Sequence, residues 1–257
     1  MLKQNKKQKA KIIGVIPARA GSKGILKKNI KPLAGYPLIA YSIVAAKLSS
    51  KIERTIVSTD SQEIANIALF YGAEVPFLRP DEIAQDYSTD LELFQHAISW
   101  FKEKESMVPD LLVQLRPTTP LRIPSEIDRA ITYVKERPDA SSLRSAHELP
   151  EPLQKMFQIN GKGFFKGLFP DDSRSEYYNL PRQQFPKTYH PNGYIDIIKT
   201  DAVQKIDMLY GCNILAFVTS FAIEVDEIED LEYLEYQLGK YGSPIYEYLT
   251  KHFPGED

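Results

Sequence analysis

The sequence predicts an α/β fold in three layers, a mostly parallel sheet covered by helices on both faces. Short aliphatic and β-branched runs alternate with segments whose apolar residues recur at helical spacing. The loops joining them are short, as right-handed crossover units require. The 257 residues, 43% hydrophobic and 26% charged, supply one continuous core and leave no case for disorder.

The elements follow in order. Residues 1–10 form a flexible basic tail, after which Lys11 to Ile16 reads as a short buried strand. A Gly- and Lys-rich turn leads to a helix from about Tyr36 to Leu48. Thr55 to Ser58 is a second strand. It runs into Asp60, placed as an N-cap with Glu63 three residues on, and Ile64, Ile67, Ala68 and Tyr71 face one side of a helix ending at Gly72. Glu74 to Leu78 is strand-like. Thr89 and Glu92 make a second capping box before a helix faced by Leu91, Phe94, Ile98 and Phe101. Leu111 to Leu115 is the next strand, and Pro124 starts a helix faced by Ile127, Ala130, Ile131 and Val134. Gly193 to Ile198, Asn213 to Val218 and Phe221 to Val225 are strand-like, and a helix from about Asp230 to Tyr241 closes the domain.

The segment 149–191 differs in character. It is rich in Pro, Phe and Tyr and carries a hairpin turn at Gln158-Ile159-Asn160-Gly161. It reads as an arm inserted between residues 11–148 and 192–257 of the nucleotide-binding α/β domain. Its aromatics, Phe157, Phe164, Phe165, Tyr177 and Tyr178, are expected to be exposed and to need a partner surface. A second copy of the chain, forming a homodimer through this arm, supplies one.

Charge and composition exclude several classes. Lys plus Arg is 32 and Asp plus Glu is 34, a net of −2, which argues against a nucleic-acid binder. A single cysteine, Cys212, excludes a disulfide framework and a thiolate zinc cluster, and fits a reducing compartment. No stretch approaches the ~18 apolar residues of a membrane span, and the start lacks the apolar core of a signal peptide. The expectation is a cytoplasmic protein with no membrane partner.

The chemistry is announced directly after the first strand. Pro17-Ala18-Arg19-Ala20-Gly21-Ser22-Lys23-Gly24-Ile25 and Lys27-Lys28-Asn29-Ile30 combine backbone that can approach an anion with positive charge from Arg19, Lys23 and Lys28. A triphosphate carries about four negative charges and suits such a cradle; the bland alternative is a solvated basic turn. The loop is neither a Walker A motif nor a dinucleotide fingerprint. Near the other end, Glu224 and Asp226 lie two apart in a strand-like stretch, so both share one face while Ile223 and Val225 turn to the core. Such a pair suits Mg²⁺, which takes one or two protein carboxylates and completes its shell with water and phosphate oxygens. The rival is electrostatic: Asp226, Glu229 and Asp230 would favour the positive end of the following helix.

The loop resembles the signature of the CMP-sialic acid synthetases, the acylneuraminate cytidylyltransferases. The resemblance continues in order through Val57-Ser58-Thr59-Asp60, Arg79-Pro80-Asp81-Glu82-Ile83-Ala84 with Asp86, and Arg116-Pro117-Thr118-Thr119-Pro120-Leu121-Arg122. It ends with Pro181-Arg182-Gln183, Pro191-Asn192-Gly193 and Glu224-Val225-Asp226. It implies a nucleotide-diphospho-sugar transferase-like fold, and transfer of CMP from CTP to the anomeric hydroxyl of a nonulosonic sugar acid with Mg²⁺ and release of pyrophosphate. Carried over by position, Arg19, Ser22, Lys23, Lys28 and Asn29 hold the triphosphate and ribose, with Arg19, Lys23 and Asp226 catalytic. Glu224 and Asp226 hold the metal. Arg79 and Ser88 lie beside cytosine and ribose, against the alternatives of a surface charge and a helix-capping hydroxyl. Asp60 is read as a helix cap. Arg182 is the expected partner of the sugar carboxylate, with His190, Asn192 and Tyr194 just beyond, in a site that the family shares across its dimer.

Two departures bear on the acceptor. Arg116 stands where the family typically has a Gln that contacts the acyl sugar, with Gln114 two residues earlier on the same strand face as a partial substitute. The family's sugar-binding Lys aligns only approximately, with Lys155 adjacent. Both point to a relative of N-acetylneuraminate, of the legionaminic or pseudaminic type, or to another 2-keto-3-deoxy sugar acid. A CMP-Kdo synthetase is the nearest rival, although its first loop usually carries Ser-Ser/Thr-Arg in place of Ser-Lys-Gly. A glycosyltransferase of similar fold would need an Asp-x-Asp near mid-chain, and Leu111 to Leu121 contains no aspartate. A non-catalytic nucleotide-binding module would not need an acidic pair as well as the basic loop.

Overall fold

The computed structural model describes residues 11–21 and 24–254, with the side chain of Ile206 left out. The basic tail, Ser22 and Lys23 therefore lie outside the described residues. The strands are β1 (Ile12–Pro17), β2 (Pro32–Leu33), β3 (Tyr36–Pro37), β4 (Arg54–Ser58), β5 (Leu111–Gln114), β6 (Ser142–Glu148), β7 (Phe157–Ile159), β8 (Phe165–Gly167), β9 (Tyr189–Lys199) and β10 (Ile214–Val218). The α-helices are α1 (Leu38–Leu48), α2 (Gln62–Phe70), α3 (Asp90–Glu105), α4 (Pro124–Lys135), α5 (Thr200–Ile206), α6 (Ile228–Tyr241) and α7 (Pro244–His252).

Six strands form the central sheet in the order β10-β6-β9-β5-β1-β4. All neighbours are parallel except at β9, which runs antiparallel to both β5 and β6. The sheet is buried on both faces, so its strands are apolar at successive positions rather than at alternate ones. In β1, Ile12 and Ile16 enter the core under α1, α4, α6 and α7, while Ile13 and Val15 enter the core under α3. These are the three layers that the alternating sequence predicts.

The chain passes from β1 to β4 on one side of β1 and then to β5 on the other. The strand order therefore reverses between β1 and β5, and their carboxyl ends open a crevice there.

Several expected elements differ. Asp60 does not cap α2; Ser61 does, its hydroxyl accepting from the Ile64 N–H. Asp60 is drawn away by a long-range partner described below. Glu74–Leu78 makes only isolated bridges, Glu74 to Ile56 and Leu78 to Thr59, and Phe221–Val225 forms no strand. Each lacks a neighbouring strand along its full length, so apolar composition finds no ladder. Helices α5 and α7, absent from the sequence reading, complete the domain. The capping box at Thr89 and Glu92, and Pro124 at the first position of α4, are as read.

In the 149–191 segment, β7 and β8 pair as a hairpin whose turn is held by Asn160: its side-chain oxygen accepts from the Lys162 and Phe164 N–H groups. Phe164 and Phe165 are exposed, but Tyr177 is not. It packs against Phe169 and Tyr178, and its hydroxyl accepts from the Phe169 N–H, giving the segment a small core of its own. Pairing of β6 with β9 reaches Glu148 opposite Tyr189, so Tyr189, His190 and Pro191 are residues of the sheet.

Candidate active site

The crevice at the ends of β1 and β5 is a cleft of about 510 Å³. Its lining draws on both chain ends: Arg19, Gly21, Gly24, Lys28 and Asn29 from the basic loop, and Glu224 and Asp226 from the late acidic segment. Three long-range hydrogen bonds fix the start of the loop. The Ala18 N–H donates to the Ser58 carbonyl at 3.0 Å, the Ala20 N–H to Asp60 Oδ1 at 2.8 Å, and Asn29 Nδ2 to the Arg19 carbonyl at 2.9 Å. Asp60 thus serves the loop rather than its own helix. Arg19 reaches sideways, donating to the Gln85 carbonyl at 2.6 Å and pairing with Asp86 at 3.2 Å. Ser88 ties the same 81–88 segment together by accepting from the Gln85 N–H at 2.9 Å.

Arg79 is 6% exposed. Its Nε donates to Ser58 Oγ at 3.0 Å and its Nη2 to the Ser58 carbonyl at 2.6 Å, at the end of β4. Burial pulls its pKa below the usual arginine range, with Asp60 and Asp90 working the other way. It is an internal guanidinium facing the cleft, not a surface charge.

The acidic segment meets the loop directly. Lys28 Nζ donates to Asp226 Oδ1 at 2.8 Å and to the Val225 carbonyl at 3.0 Å. A Cβ on Gly24 would lie 3.0 Å from the Asp226 carbonyl oxygen, so glycine permits this approach. Although the segment is not a strand, Val225 is fully buried, its N–H donating to the Thr118 carbonyl at 2.7 Å. That anchor turns its neighbours outward: Glu224 Oε1 accepts from Thr118 Oγ1 at 3.1 Å, and Asp226 is 72% exposed. The N-terminus of α6 is served by Glu227 and Asp230, whose Oδ2 accepts from the Asp226 and Glu227 N–H groups. Asp226 is thereby left without a capping duty.

Toward β9, Arg116 pairs with Asp90, at the first turn of α3, at 2.5 Å. Burial disfavours the Arg116 charge, but Asp90 more than restores it, so its pKa is raised. Gly193, with φ of +59°, lets Arg116 pass: a Cβ there would sit 3.0 Å from Arg116 Cδ. The organiser of this region is Arg122, buried completely, which donates to the carbonyls of Tyr194, Arg116 and Gly193 and to Ser42 Oγ. Burial pushes its pKa down to about 9, so it stays charged at neutral pH and fastens the loop after β5 to the bend in β9.

Of the residues singled out in the sequence, Arg19, Lys28, Asn29, Arg79, Ser88, Arg116, Glu224 and Asp226 line one cleft. Ser22 and Lys23 lie outside the described residues. Asn192 is buried and occupied internally: Nδ2 donates to Thr219 Oγ1 at 2.8 Å and its carbonyl accepts from Thr119 Oγ1 at 3.2 Å. Gln114 is buried on the sheet face under α3. Lys155 and Arg182 sit on one-turn helices of the inserted segment. Arg182 lines a separate cavity of about 340 Å³ with Glu148, Pro152, Phe185 and Lys187, and His190 is exposed on β9. None of these last three lines the cleft of its own chain.

Sequence reasoning missed Asp90, which bears no signal beyond a favourable charge at a helix start. It misassigned Asp60 because the capping pattern was satisfied on paper. Arg122 stood in a quoted motif, but its role depends on four acceptors from three parts of the chain.

The donor set fits a hard, lightly ligated divalent ion. Among the described residues no three His, Cys, Asp or Glu side chains converge. Two carboxylates facing a phosphate-sized space match what Mg²⁺ needs when phosphate oxygens and water supply the rest. The cleft lining contains no histidine.

A basic loop clamped at a strand-order switch, with carboxylates beside it in one cleft, fits a nucleotide-binding α/β protein of the transferase type. A cytidylyltransferase family model matches residues 13–164, and the chain belongs to that family of nucleotidyltransferases. It is 31% identical over 222 residues to a pseudaminic acid cytidylyltransferase of Campylobacter jejuni, covering 85% of this chain and 92% of the relative. It is 45% identical over 125 residues to a CMP-N,N'-diacetyllegionaminic acid synthase of Legionella pneumophila, 49% of this chain and 53% of that protein. An N-acylneuraminate cytidylyltransferase of Escherichia coli is 31% identical over 230 residues, and the match spans 87% of this chain but 51% of the relative, about half its length. Among solved structures, a CMP:2-keto-3-deoxy-manno-octonic acid synthetase complexed with CTP has the same fold, with a TM-score of 0.67 at 17% identity over 90% of this chain and 99% of the other.

Proposed function

We propose that this enzyme transfers CMP from CTP to the anomeric hydroxyl of a nonulosonic, sialic acid-like sugar acid, releasing pyrophosphate. The observation that carries the reading is the meeting of the basic loop with Glu224 and Asp226 in one cleft at the β1/β5 switch. The relatives named for N-acylneuraminate, pseudaminic and legionaminic acid support the acceptor class.

In this reading the loop backbone and Lys28 receive the triphosphate, and Arg19 closes over it from the 85–86 segment. Arg79, locked onto Ser58, presents a fixed positive edge to the nucleoside. Lys28, held at 2.8 Å from Asp226, stands between the phosphates and the acidic segment. Glu224 and Asp226 would hold Mg²⁺, which when bound neutralises charge on the leaving pyrophosphate and lowers the pKa of the attacking hydroxyl. Catalysis then rests on alignment and charge stabilisation. Arg122 fixes the loop that separates nucleotide from acceptor.

The acceptor carboxylate is met by Arg182, with Lys155 and His190 as further candidates for the sugar. Arg182 lines another cavity and not its own cleft, so the reading includes a homodimer in which the inserted segment serves the partner's site. Among the described residues no helix is long and apolar enough to cross a membrane.

The test is pyrophosphate release with each of the four nucleoside triphosphates, Mg²⁺ and a panel of nonulosonic acids and Kdo. CTP-dependent release with a nonulosonic acid is expected. Release with UTP or GTP but not CTP overturns the nucleotide assignment, and release with Kdo alone overturns the acceptor.

A further inference from the structure

The basic loop after β1 is held at both of its ends by the opening turn of α2. At the near end one peptide group is pinned twice. The Arg19 carbonyl accepts from Asn29 Nδ2 at 2.9 Å, and the N–H of the same peptide, on Ala20, donates to Asp60 Oδ1 at 2.8 Å. At the far end Lys27 Nζ donates to both carboxylate oxygens of Glu63, at 2.8 and 2.7 Å. Lys27 is left-handed, with φ of +55°, a conformation that a residue other than glycine holds only when its surroundings impose it. Asp60 directly precedes Ser61, the cap of α2, and Glu63 lies in the first turn of that helix.

The helix does not need the Asp60 carboxylate. Ser61 Oγ accepts from the Ile64 N–H, and Thr59 Oγ1 accepts from the Ser61 N–H. A carboxylate beside an anion site weakens that site unless it serves it. What Asp60 serves is the orientation of a peptide plane. Its two partners have opposite polarity, Asn29 donating and Asp60 accepting, so only one orientation satisfies both. The flipped peptide would set its oxygen against the Asp60 carboxylate and its N–H against the Asn29 amide. Arg19 and Gly21, on either side of Ala20, both line the cleft, whereas Asp60 does not. The direction in which both residues leave the peptide is therefore set from outside the cleft.

We infer that Asp60 is a positioning residue for nucleotide binding: it orients the Arg19–Ala20 peptide, and through it Arg19 and Gly21, toward the triphosphate, while Glu63 holds the other end of the loop through Lys27. This rests on the nucleotidyltransferase reading above. Asp60 acts through the loop and not by contact with the nucleotide, so its effect falls on CTP and not on the acceptor. Glu63 contributes less. Its pair with Lys27 is open to water, the two side chains being 53% and 56% exposed, and exposed pairs are weak.

The experiment uses the wild type, Asp60→Ala, Asp60→Ser, Asp60→Asn and Glu63→Gln. It measures CTP binding by calorimetry with Mg²⁺ and no acceptor, CTP and acceptor KM with the nonulosonic acid that the wild type turns over, melting temperature, and hydrogen exchange of the Ala20 amide in the free protein. Asp60→Ala and Asp60→Ser, two truncations that no longer reach the Ala20 N–H, should raise CTP Kd and KM about tenfold and leave acceptor KM within about twofold. The same variants should speed Ala20 exchange at least about tenfold. Asp60→Asn keeps an acceptor oxygen and should stay within about threefold of the wild type in CTP Kd. A loss in Asp60→Asn as large as in Asp60→Ala would mean that the charge itself matters, and overturns the positioning role. Glu63→Gln should raise CTP KM no more than about twofold. Equal rises in CTP and acceptor KM, or a lower melting temperature with unchanged CTP Kd, mark a merely structural residue and overturn the inference. CTP Kd within about twofold of the wild type in both truncations, with an active wild type, overturns this inference alone. A wild type that releases pyrophosphate from CTP with no nonulosonic acid in the panel overturns the functional reading itself.

Discussion

The cleft and the neighbouring face of strands β5, β9 and β6 handle charge in opposite ways. Arg19, Lys28, Arg79 and Arg116 each have a short contact, to Asp86, Asp226, Ser58 and Asp90. Gln114, Arg144 and Asp196, on the adjacent strands β5, β6 and β9, leave buried atoms unbonded. The first region is paired throughout, as suits a triphosphate whose charge would otherwise demand reorganisation. The second carries buried polar atoms without partners, each a cost to stability.

The largest effect on this contrast is expected from Asp226→Asn, which removes the exposed carboxylate next to Lys28. Turnover should fall at least about 100-fold with the melting temperature unchanged, because the side chain is 72% exposed and has no capping role. Near-normal turnover would remove Asp226 from the metal-holding role.

Next in size is Arg122→Met, which removes the donor to the Tyr194 and Gly193 carbonyls and one of the donors to the Arg116 carbonyl. Urea denaturation should show a loss of about 3 kcal/mol or more. A loss below about 1 kcal/mol means that the loop after β5 is held by something else.

Arg182→Ala should raise acceptor KM by about tenfold with little change for CTP. Its sharper form is complementation. Mixing Arg182→Ala with Asp226→Asn chains restores one intact site per heterodimer if the inserted segment works in the partner's cleft, and restores nothing if it works in its own. The smallest effect is expected from Gly24→Ala. The added Cβ, 3.0 Å from the Asp226 carbonyl, should displace the loop slightly and raise CTP KM by about two- to fivefold. An unchanged CTP KM would show that the loop and acidic segment separate when nucleotide binds.

The same contrast explains what was legible in the sequence. The basic loop, the Thr89 capping box and the Pro124 start are local patterns within a few residues, and the structure contains each. Glu224 and Asp226 were found as a pair, although their common outward placement comes from the single buried anchor Val225 and not from a strand. Asp60 was misread because a cap and a long-range loop clasp use the same side-chain acceptor, and only the fold brings Ala20 to it. The pairing of Asp196 with Arg144 gave no signal: one acid and one base lie 52 positions apart in the chain.

The amino-acid order alone determined the alternation of strands and helices, the position of the phosphate loop directly after the first strand, and the acidic pair far downstream. Those features are short-range, set by residue spacing and turn chemistry. The tertiary structure decided which charges meet. The strand-order reversal between β1 and β5 carries Asp226 to Lys28, and the antiparallel course of β9 sets Asp196 between Gln114 and Arg144. Both depend on contacts whose distance in space bears no relation to their distance along the chain.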